Sequence, residues 1–564
     1  MTWSRLLQSR AFLLVLLAAA ALLIYTPSLK NDFVVWDDDS LVYQNPLVQQ
    51  MTPKTVIGAF TSYDPELYVP LTIVSFQIEH ALFGFRPFAF HLDNLLLHVA
   101  IAFLMMLFLE ELGLRRSTAF LGALLFVVHP VNTETIAWVS ARKDLLSTMF
   151  SLASILCYLR MRRDDDRRWF FLAFGFLLCA LLSKPVAVVV PFVFVLLDWM
   201  RSERNKTLSD HSLTNGYRLS FFGLSMLFLL IGLYGKKRNL AALSLLQTLL
   251  LGIKSTIFSL GKFFWPASLS PIYLQTDAIT LTLPQFFVPL LILLLIGIVT
   301  LWSLRRTRVI AFSLGFFLLF LIPSFSNFAK DRDIYIFSDR YIYLNQIGML
   351  FLIGYGLDHL RMTFNRRTAI VWILAAPLSV TLAYAAHAQS LLWKDSETLY
   401  RDALSKNDRS VVMHYNLALL EHKRSDRAAA LEEYQKALVI DPRYAKALSN
   451  LGVLYNEEGQ TAKAEEELRL AIESDPRFPE PHNNIGTMLL DRGDVDGSIA
   501  EFRAAIALNE RYAQAHINLA NALGKKGLYE EGLLEYKRAF EIDPSALDAS
   551  PEIRRELETW ENEK

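Results

Sequence analysis

Two hydropathy patterns share this chain. Residues 1–390 run as successive Leu-, Phe- and Val-rich stretches broken by short charged loops, whereas residues 395–564 are rich in Glu, Arg, Lys and Ala. An apolar helix needs ~20 residues to cross a bilayer. That length predicts about eleven spans, near 11–29, 89–111, 117–136, 144–160, 169–184, 185–200, 218–235, 284–304, 309–327, 341–360 and 368–389. Lys and Arg in short loops mark the cytoplasmic side. Arg5 and Arg10 therefore place the N-terminus inside, and basic loops around Arg115, the run 160–168, Arg201 with Arg204 and Lys206, Arg305 and Arg366 fall on the same side. The first apolar run reads as an uncleaved signal anchor, because AAAA lies mid-run and LLIY follows it. Residues 240–275 carry Lys254 and Lys262 and are expected to lie at the interface instead of crossing.

Beyond residue 408 the period changes to 34. Asn416, Asn450, Asn484 and Asn518 recur at that spacing as NLA, NLG, NIG and NLA, and Ala437, Ala471, Ala505 and Ala539 form a second series. DP pairs at Asp441-Pro442, Asp475-Pro476 and Asp543-Pro544 close three of the units. These residues match the tetratricopeptide-repeat pattern, in which small side chains let two antiparallel helices pack and Pro ends each unit. The predicted architecture is all-α: a polytopic membrane domain at 1–390, a linker or first helix at 391–408, four repeats at 409–544, and a charged tail or capping helix at 545–564. The four asparagines have two readings. An amide donates and accepts at once, so they could grip an acceptor peptide in the repeat groove, or bond from one repeat to the next. His414, His482 and His516 are expected to fill a packing position, since a repeat width of ~10 Å separates them too far for shared coordination.

Charge narrows the function classes. Lys+Arg 56 against Asp+Glu 56 leaves no net charge, and no basic patch interleaved with aromatics argues for nucleic acid. Cys157 and Cys179 both lie in apolar runs and behave as small hydrophobes. No phosphate-cradling Gly-rich loop, nucleophile elbow or zinc-ligand helix is present.

With the spans oriented, unusual polar residues collect outside. Asp37, Asp38 and Asp39 follow the first span. FHLDNLLLH sets His91, Asn94 and His98 on one helical face, and HPVNTETIAWVSARKD supplies His129, Glu134, Arg142 and Asp144. Lys184 sits in an outer hairpin, and FAKDRDIYIFSDRYIY adds Lys330, Arg332, Arg340 and Tyr341. Acids and bases gathered at one membrane face suit a lipid-borne phosphate, with Arg and Lys on the leaving group and a carboxylate on the incoming hydroxyl.

VWDDDSLVYQNPLV, YVPLTIVSFQIEHALFG, PFAFHLDNLLLH, HPVNTETIAWVSARKDLL and DRYIYL occur in that order ahead of the repeats. The chain thereby resembles the transmembrane and tetratricopeptide-repeat containing family across nearly its whole length. That resemblance implies a GT-C glycosyltransferase fold and transfer of a mannose-like sugar from a polyprenyl-phosphate donor to a Ser/Thr hydroxyl of a protein, with inversion. It puts the catalytic pair on Asp37 and Asp38, Asp38 being slightly favoured as base, with Asp39 a bystander. It also implies donor-phosphate contacts from Arg340, Lys184 and Arg142, and a cavity formed by His91, Asn94, His129, Glu134, Asp144 and Tyr341. A divalent metal held by the acids and His91 stays open. Two departures touch the donor contacts: Pro185 follows Lys184 where the family has an acid, and Val69 replaces an Arg. Compact loops and the sequon Asn205-Lys206-Thr207 on the cytoplasmic side point to a bacterial inner-membrane homologue with periplasmic repeats; an endoplasmic reticulum protein is the alternative. The rival functions are a non-catalytic scaffold and a transporter of lipid-linked sugars.

Overall fold

A computed structural model describes residues 9–63, 67–202, 212–236, 243–330, 333–363, 368–543, 546–547 and 550–563. Arg5, Arg204, the sequon at 205–207, Arg332, Arg366 and Pro544 lie outside the described residues. The chain divides into two compact units, Met1–Lys406 and Asn407–Lys564.

The first unit is built from helices α1 (Arg10–Tyr25), α2 (Pro53–Thr61), α3 (Pro70–Phe83), α4 (Pro87–Glu111), α5 (Arg116–Val128), α6 (Thr133–Ala137), α7 (Arg142–Asp164), α8 (Arg167–Ser183), α9 (Val190–Arg201) and α10 (Ser212–Lys236). It continues with α11 (Leu245–Phe264), α12 (Pro284–Ser303), α13 (Val309–Leu321), α14 (Gln346–Thr363), α15 (Thr368–Leu391) and α16 (Ser396–Lys406). Proline opens α2, α3, α4 and α12, where its missing N–H is one that a helix start leaves unbonded anyway. Helix α1 buries Leu13, Leu17 and Ala21, four residues apart on one stripe, against the central core. Helices α7 and α8 form a tight hairpin turned by Asp165, which takes the left-handed conformation that short polar side chains tolerate.

Six described helical segments are long and apolar enough to cross a membrane, or up to seven if the bent pair Arg116–Val128 and Pro130–Ala137 is one span. Two other segments expected to cross are shorter, α8 with 17 residues and α9 with 12. Helix α11, inside the stretch expected to be interfacial, is not among the candidate spans. One feature departs from an all-α chain. Strands β1 (Tyr273–Leu274), β2 (Ala329–Lys330) and β3 (Asp333–Phe337) make a small antiparallel sheet ordered β1-β3-β2, which carries the chain directly into Ser338–Tyr341. Two of its strands, β1 and β2, have two residues each and leave no period-2 pattern to read.

The second unit stacks helix pairs at the predicted period, beginning Val411–Lys423 with Arg427–Ile440 and ending Ala513–Lys525 with Tyr529–Ile542; a further helix, Pro551–Glu563, follows. The glycines of the pattern are packing requirements. A Cβ on Gly486 would sit 2.7 Å from the Phe502 ring, and one on Gly452 2.7 Å from Leu468. The turn inside each pair needs one left-handed residue, supplied by Gly459, Gly493 and Gly527 at φ 76, 84 and 86. The first repeat puts Ser425 there at φ 63. Because a left-handed conformation costs an ordinary residue roughly 1–2 kcal/mol, Ser425→Gly is expected to stabilise the array by about 1 kcal/mol, less what glycine gives back in unfolded-chain entropy. Urea unfolding of the array followed by circular dichroism checks it.

Candidate active site

The three acids part company at the outset. Asp38 is fully buried, and both of its oxygens are taken: Oδ2 accepts from the Val34 amide at 3.0 Å, and Oδ1 accepts from the Ser140 amide at 2.8 Å and its hydroxyl at 2.5 Å. It ties the loop after α1 to the turn before α7. Asp37 keeps a side chain 29% exposed and faces Lys143, with 3.6 Å between Oδ2 and Nζ. Asp39 begins a wide helical turn over Asp39–Tyr43.

Burial pushes the Asp38 carboxyl up to about 7 and outweighs the three donors that favour its ionised form. Since the folded value lies above the ordinary 3.8, protonation favours the folded loop. The stabilisation is complete below about 4, the ordinary Asp value, and is lost as pH rises through about 7. The expected result is an infrared carboxylic-acid band titrating near neutrality, absent from Asp38→Asn.

Around Lys143 the other charges gather. Its ammonium lies 5.1 Å above the Trp138 ring, and Asp37, Lys184, Asp144 and Arg340 are the charges that surround it. Lys184, at the break between α8 and the following turn, bonds Asp144 Oδ1 at 2.5 Å, while Asp144 Oδ2 is buried with no hydrogen-bond partner. Arg340 leans on the same indole, 5.1 Å from the Trp138 centroid, and lies 5.0 Å from the Tyr341 ring. Glu134 fixes it: Oε1 accepts from Arg340 Nη1 at 2.5 Å, and Oε2 accepts from the Arg340 amide at 2.9 Å. Ser338 donates to the same carboxylate at 2.9 Å. Beside it, Asp339 is buried against Tyr273 Oη at 2.9 Å and the Ser270 amide at 3.1 Å, and burial, then the charge of Glu134, drives its carboxyl well above the ordinary range. Three basic side chains, Lys143, Lys184 and Arg340, thus meet three acidic ones, Asp37, Asp144 and Glu134.

One expected donor contact, Arg142, and three expected cavity residues, Asn94, His129 and His91, are placed elsewhere. Arg142 is fully buried, and its guanidinium donates to Asn94 Oδ1, to Glu79 Oε2 at 3.1 Å and to the Phe90 carbonyl at 2.9 Å, and pairs with Asp93 at 2.6 Å. Four of its five N–H donors are therefore engaged within the α3–α4–α7 packing, which weighs against the contact expected from Arg142 to a donor phosphate. Asn94 also donates to the Trp138 carbonyl at 3.0 Å, anchoring the turn that presents Lys143. His129 holds its own turn, with Nε2 2.9 Å from the Phe263 carbonyl and Nδ1 accepting from the Val131 amide at 3.3 Å. His91 is buried beside the Asn31–Asp32 backbone. Tyr341 accepts from Asn327 at 3.4 Å at the edge of the Arg340 group.

Lys143 was missed by sequence reasoning although it lies between two residues that were chosen. Successive helical positions differ by about 100°. Arg142 thus turns inward while Lys143 and Asp144 turn to the cluster. For a divalent metal the acids do not fit: Asp38 is filled by protein donors, and Asp37 and Asp144 each face a lysine. Among the described residues no group of three or more His, Cys, Asp or Glu is placed to hold a metal ion.

In the second unit the asparagines bond backward along the stack. Asn450 donates to Tyr415 Oη at 3.0 Å, Asn484 to Ser449 Oγ at 3.0 Å and Asn518 to Asn483 Oδ1 at 2.8 Å, each reaching into the preceding repeat. Of the two readings, the repeat-to-repeat bond is the one these geometries fill, and the peptide-gripping role loses those amide donors; Asn416 opens the series in the first repeat. The histidines do more than occupy volume. His414, His482 and His516 meet Glu433, Glu501 and Glu535 at 2.6, 2.7 and 2.5 Å, tying the two helices of each repeat.

Residues 70–228 match the family model described as dolichyl-phosphate-mannose-protein mannosyltransferase, which takes in Lys143, Asp144 and Lys184 and stops short of Asp37 and Arg340. Models described as TPR repeat match 419–459 and 486–527, and tetratricopeptide repeat 445–478 and 513–545. Protein O-mannosyl-transferase TMTC1 of Homo sapiens is 24% identical over 498 residues, covering 77% of this chain and 56% of its own. The chain is similar to protein O-mannosyl-transferases over most of its length. Protein O-mannosyl-transferase TMTC4 of Homo sapiens is 24% identical over 493 residues, 74% of this chain and 65% of its own, and TMTC2 of Mus musculus reaches 32% over 194 residues, 32% of this chain and 23% of its own. This chain thus spans less than two thirds of the length of each of these relatives. With its several apolar helices it is a multi-pass membrane protein joined to a repeat array.

Proposed function

We propose that the chain is a membrane glycosyltransferase that moves a mannose-like sugar from a polyprenyl-phosphate donor to a hydroxyl of a protein, at the non-cytoplasmic face. The observation that carries this reading is Asp37, a partly open carboxylate facing Lys143 beside Lys184 and Arg340. Asp37 takes the proton of the acceptor hydroxyl as its oxygen bonds to the sugar C1 from the face opposite the phosphate. In the same step the C1–O bond to the phosphate breaks, its electron pair stays on the lipid phosphate, and the configuration at C1 inverts. Lys143, Lys184 and Arg340 hold the charge that grows on that phosphate, the kind of preorganised stabilisation that is worth several kcal/mol. The buried, unpartnered Oδ2 of Asp144 is an acceptor for a sugar hydroxyl. Glu134, Ser338 and Trp138 keep Arg340 in place.

The donor side is tested with full-length protein, labelled polyprenyl-phosphate sugars and a Ser/Thr-rich peptide. Lys143→Gln is expected to raise the KM for donor and to lower kcat/KM by roughly 10²-fold or more, the scale of losing one preorganised charge contact. Unchanged donor kinetics in that variant would remove the phosphate role of Lys143.

A further inference from the structure

A second charged site lies at the other end of α7. Lys143 and Arg162 are 19 residues apart on this unbroken helix, so ~28 Å separates them at ~1.5 Å per residue. That is about the thickness of a bilayer's hydrocarbon core. At that far level a cavity of about 280 Å³ is lined by Arg162, Val195, Asp198, Trp199, Ser202 and Arg218.

Its chemistry is that of an anion site bordered by apolar surface. Arg218 Nη2 reaches Asp198 Oδ2 at 2.5 Å, and Arg162 Nε lies 3.2 Å from Asp198 Oδ1. Tyr158 donates to the same carboxylate at 2.5 Å. Two guanidiniums thus share one acid. The Arg162 side chain is only 10% exposed, yet its Nε, like that of Arg218, lacks a properly aligned hydrogen-bond acceptor. A buried guanidinium with donors left over is costly unless an acceptor arrives. Arg308 braces the wall, donating to the Trp199 carbonyl at 2.6 Å and to Ser202 Oγ at 2.7 Å, with its guanidinium 5.1 Å from the Trp199 ring. Arginine forks match phosphate oxygens in pairs, and basic pockets between membrane helices take anionic headgroups. Trp199 and Val195 give the glycerol end an apolar border, and tryptophan favours the headgroup level.

We propose that this cavity binds the phosphate of an anionic lipid headgroup, at the membrane face opposite the transfer site. The test is native mass spectrometry of the full chain, scoring retained phosphatidylglycerol against phosphatidylcholine, with inorganic phosphate in a separate arm. Wild type is expected to retain phosphatidylglycerol at least about tenfold better than Arg162→Gln/Arg218→Gln, since each basic residue near a membrane surface contributes on that scale. Arg305→Gln/Arg306→Gln removes the same charge at another loop and is expected to match wild type. Ser202→Asp leaves both arginines and Asp198 in place while adding a carboxylate to the wall, and is expected to lose the lipid as the double variant does. Equal retention by wild type and both cavity variants, no preference over phosphatidylcholine, or binding of inorganic phosphate without the lipid would each overturn the assignment.

Discussion

Asp37→Asn is expected to lower transfer by roughly 10² to 10⁴-fold, the range ascribed to a positioned general base, with a thermal midpoint close to that of wild type. The amide fills the same space at a partly exposed position but cannot take a proton, and its loss leaves Lys143 with Asp144 still nearby. Asp38→Asn has the opposite profile. Its side chain cannot approach an acceptor, because it is buried with both oxygens occupied. An amide there would turn its NH₂ toward either the Val34 amide or the Ser140 donors, so the loop loosens and the midpoint falls. Whatever activity Asp38→Asn loses should follow the loss of folded protein. Measuring transfer per folded molecule in the two variants separates the roles.

Arg142→Ala is expected to be the most damaging single change to the membrane unit, at about 3–5 kcal/mol, as is usual when one partner of a buried ion pair is removed. Glu79 is left with a side chain only 7% exposed and no counter-charge, and the Asn94 and Phe90 acceptors lose their donor. Asp93, which is half open to solvent, contributes less. Arg142→Lys should recover only part of this, since a single ammonium cannot span all of these acceptors. Glu79→Gln/Arg142→Met should recover more than Arg142→Ala alone, because it removes both charges. Thermal unfolding of the detergent-solubilised protein, read by tryptophan fluorescence, ranks the three variants against wild type. A fall confined to donor affinity in Arg142→Ala, with an unchanged midpoint, would return the residue to the phosphate site.

The repeats were legible because each unit states its constraints again 34 residues later: small residues where helices touch, and a left-handed residue at the turn. Even Ser425, the exception, is visible as the break in a glycine series. In the membrane unit, sequence patterning points to segments but leaves open which of their side chains come together. Within ARKD, which of Arg142 and Lys143 faces the cluster depends on helix rotation, set by Glu79 and Asp93 on other elements. The acid triplet poses the same difficulty in a loop, since Asp38 is claimed by Ser140, a residue 102 positions away. Glu134 could be placed with Arg340 only once the small sheet had carried Ser338 to it. Long-range hydrogen bonds of this kind leave no local signature.

The account stands on where the donor phosphate binds. Electron cryomicroscopy of the full chain in lipid nanodiscs, saturated with a non-transferable polyprenyl-phosphate sugar analogue, answers that directly. The prediction is a phosphate within hydrogen-bond reach of Lys143 Nζ and of Lys184 or Arg340, with the sugar C1 turned toward Asp37. A phosphate seated on Arg142, or a sugar whose C1 faces Asp38 while Asp37 stays in solvent, would contradict it.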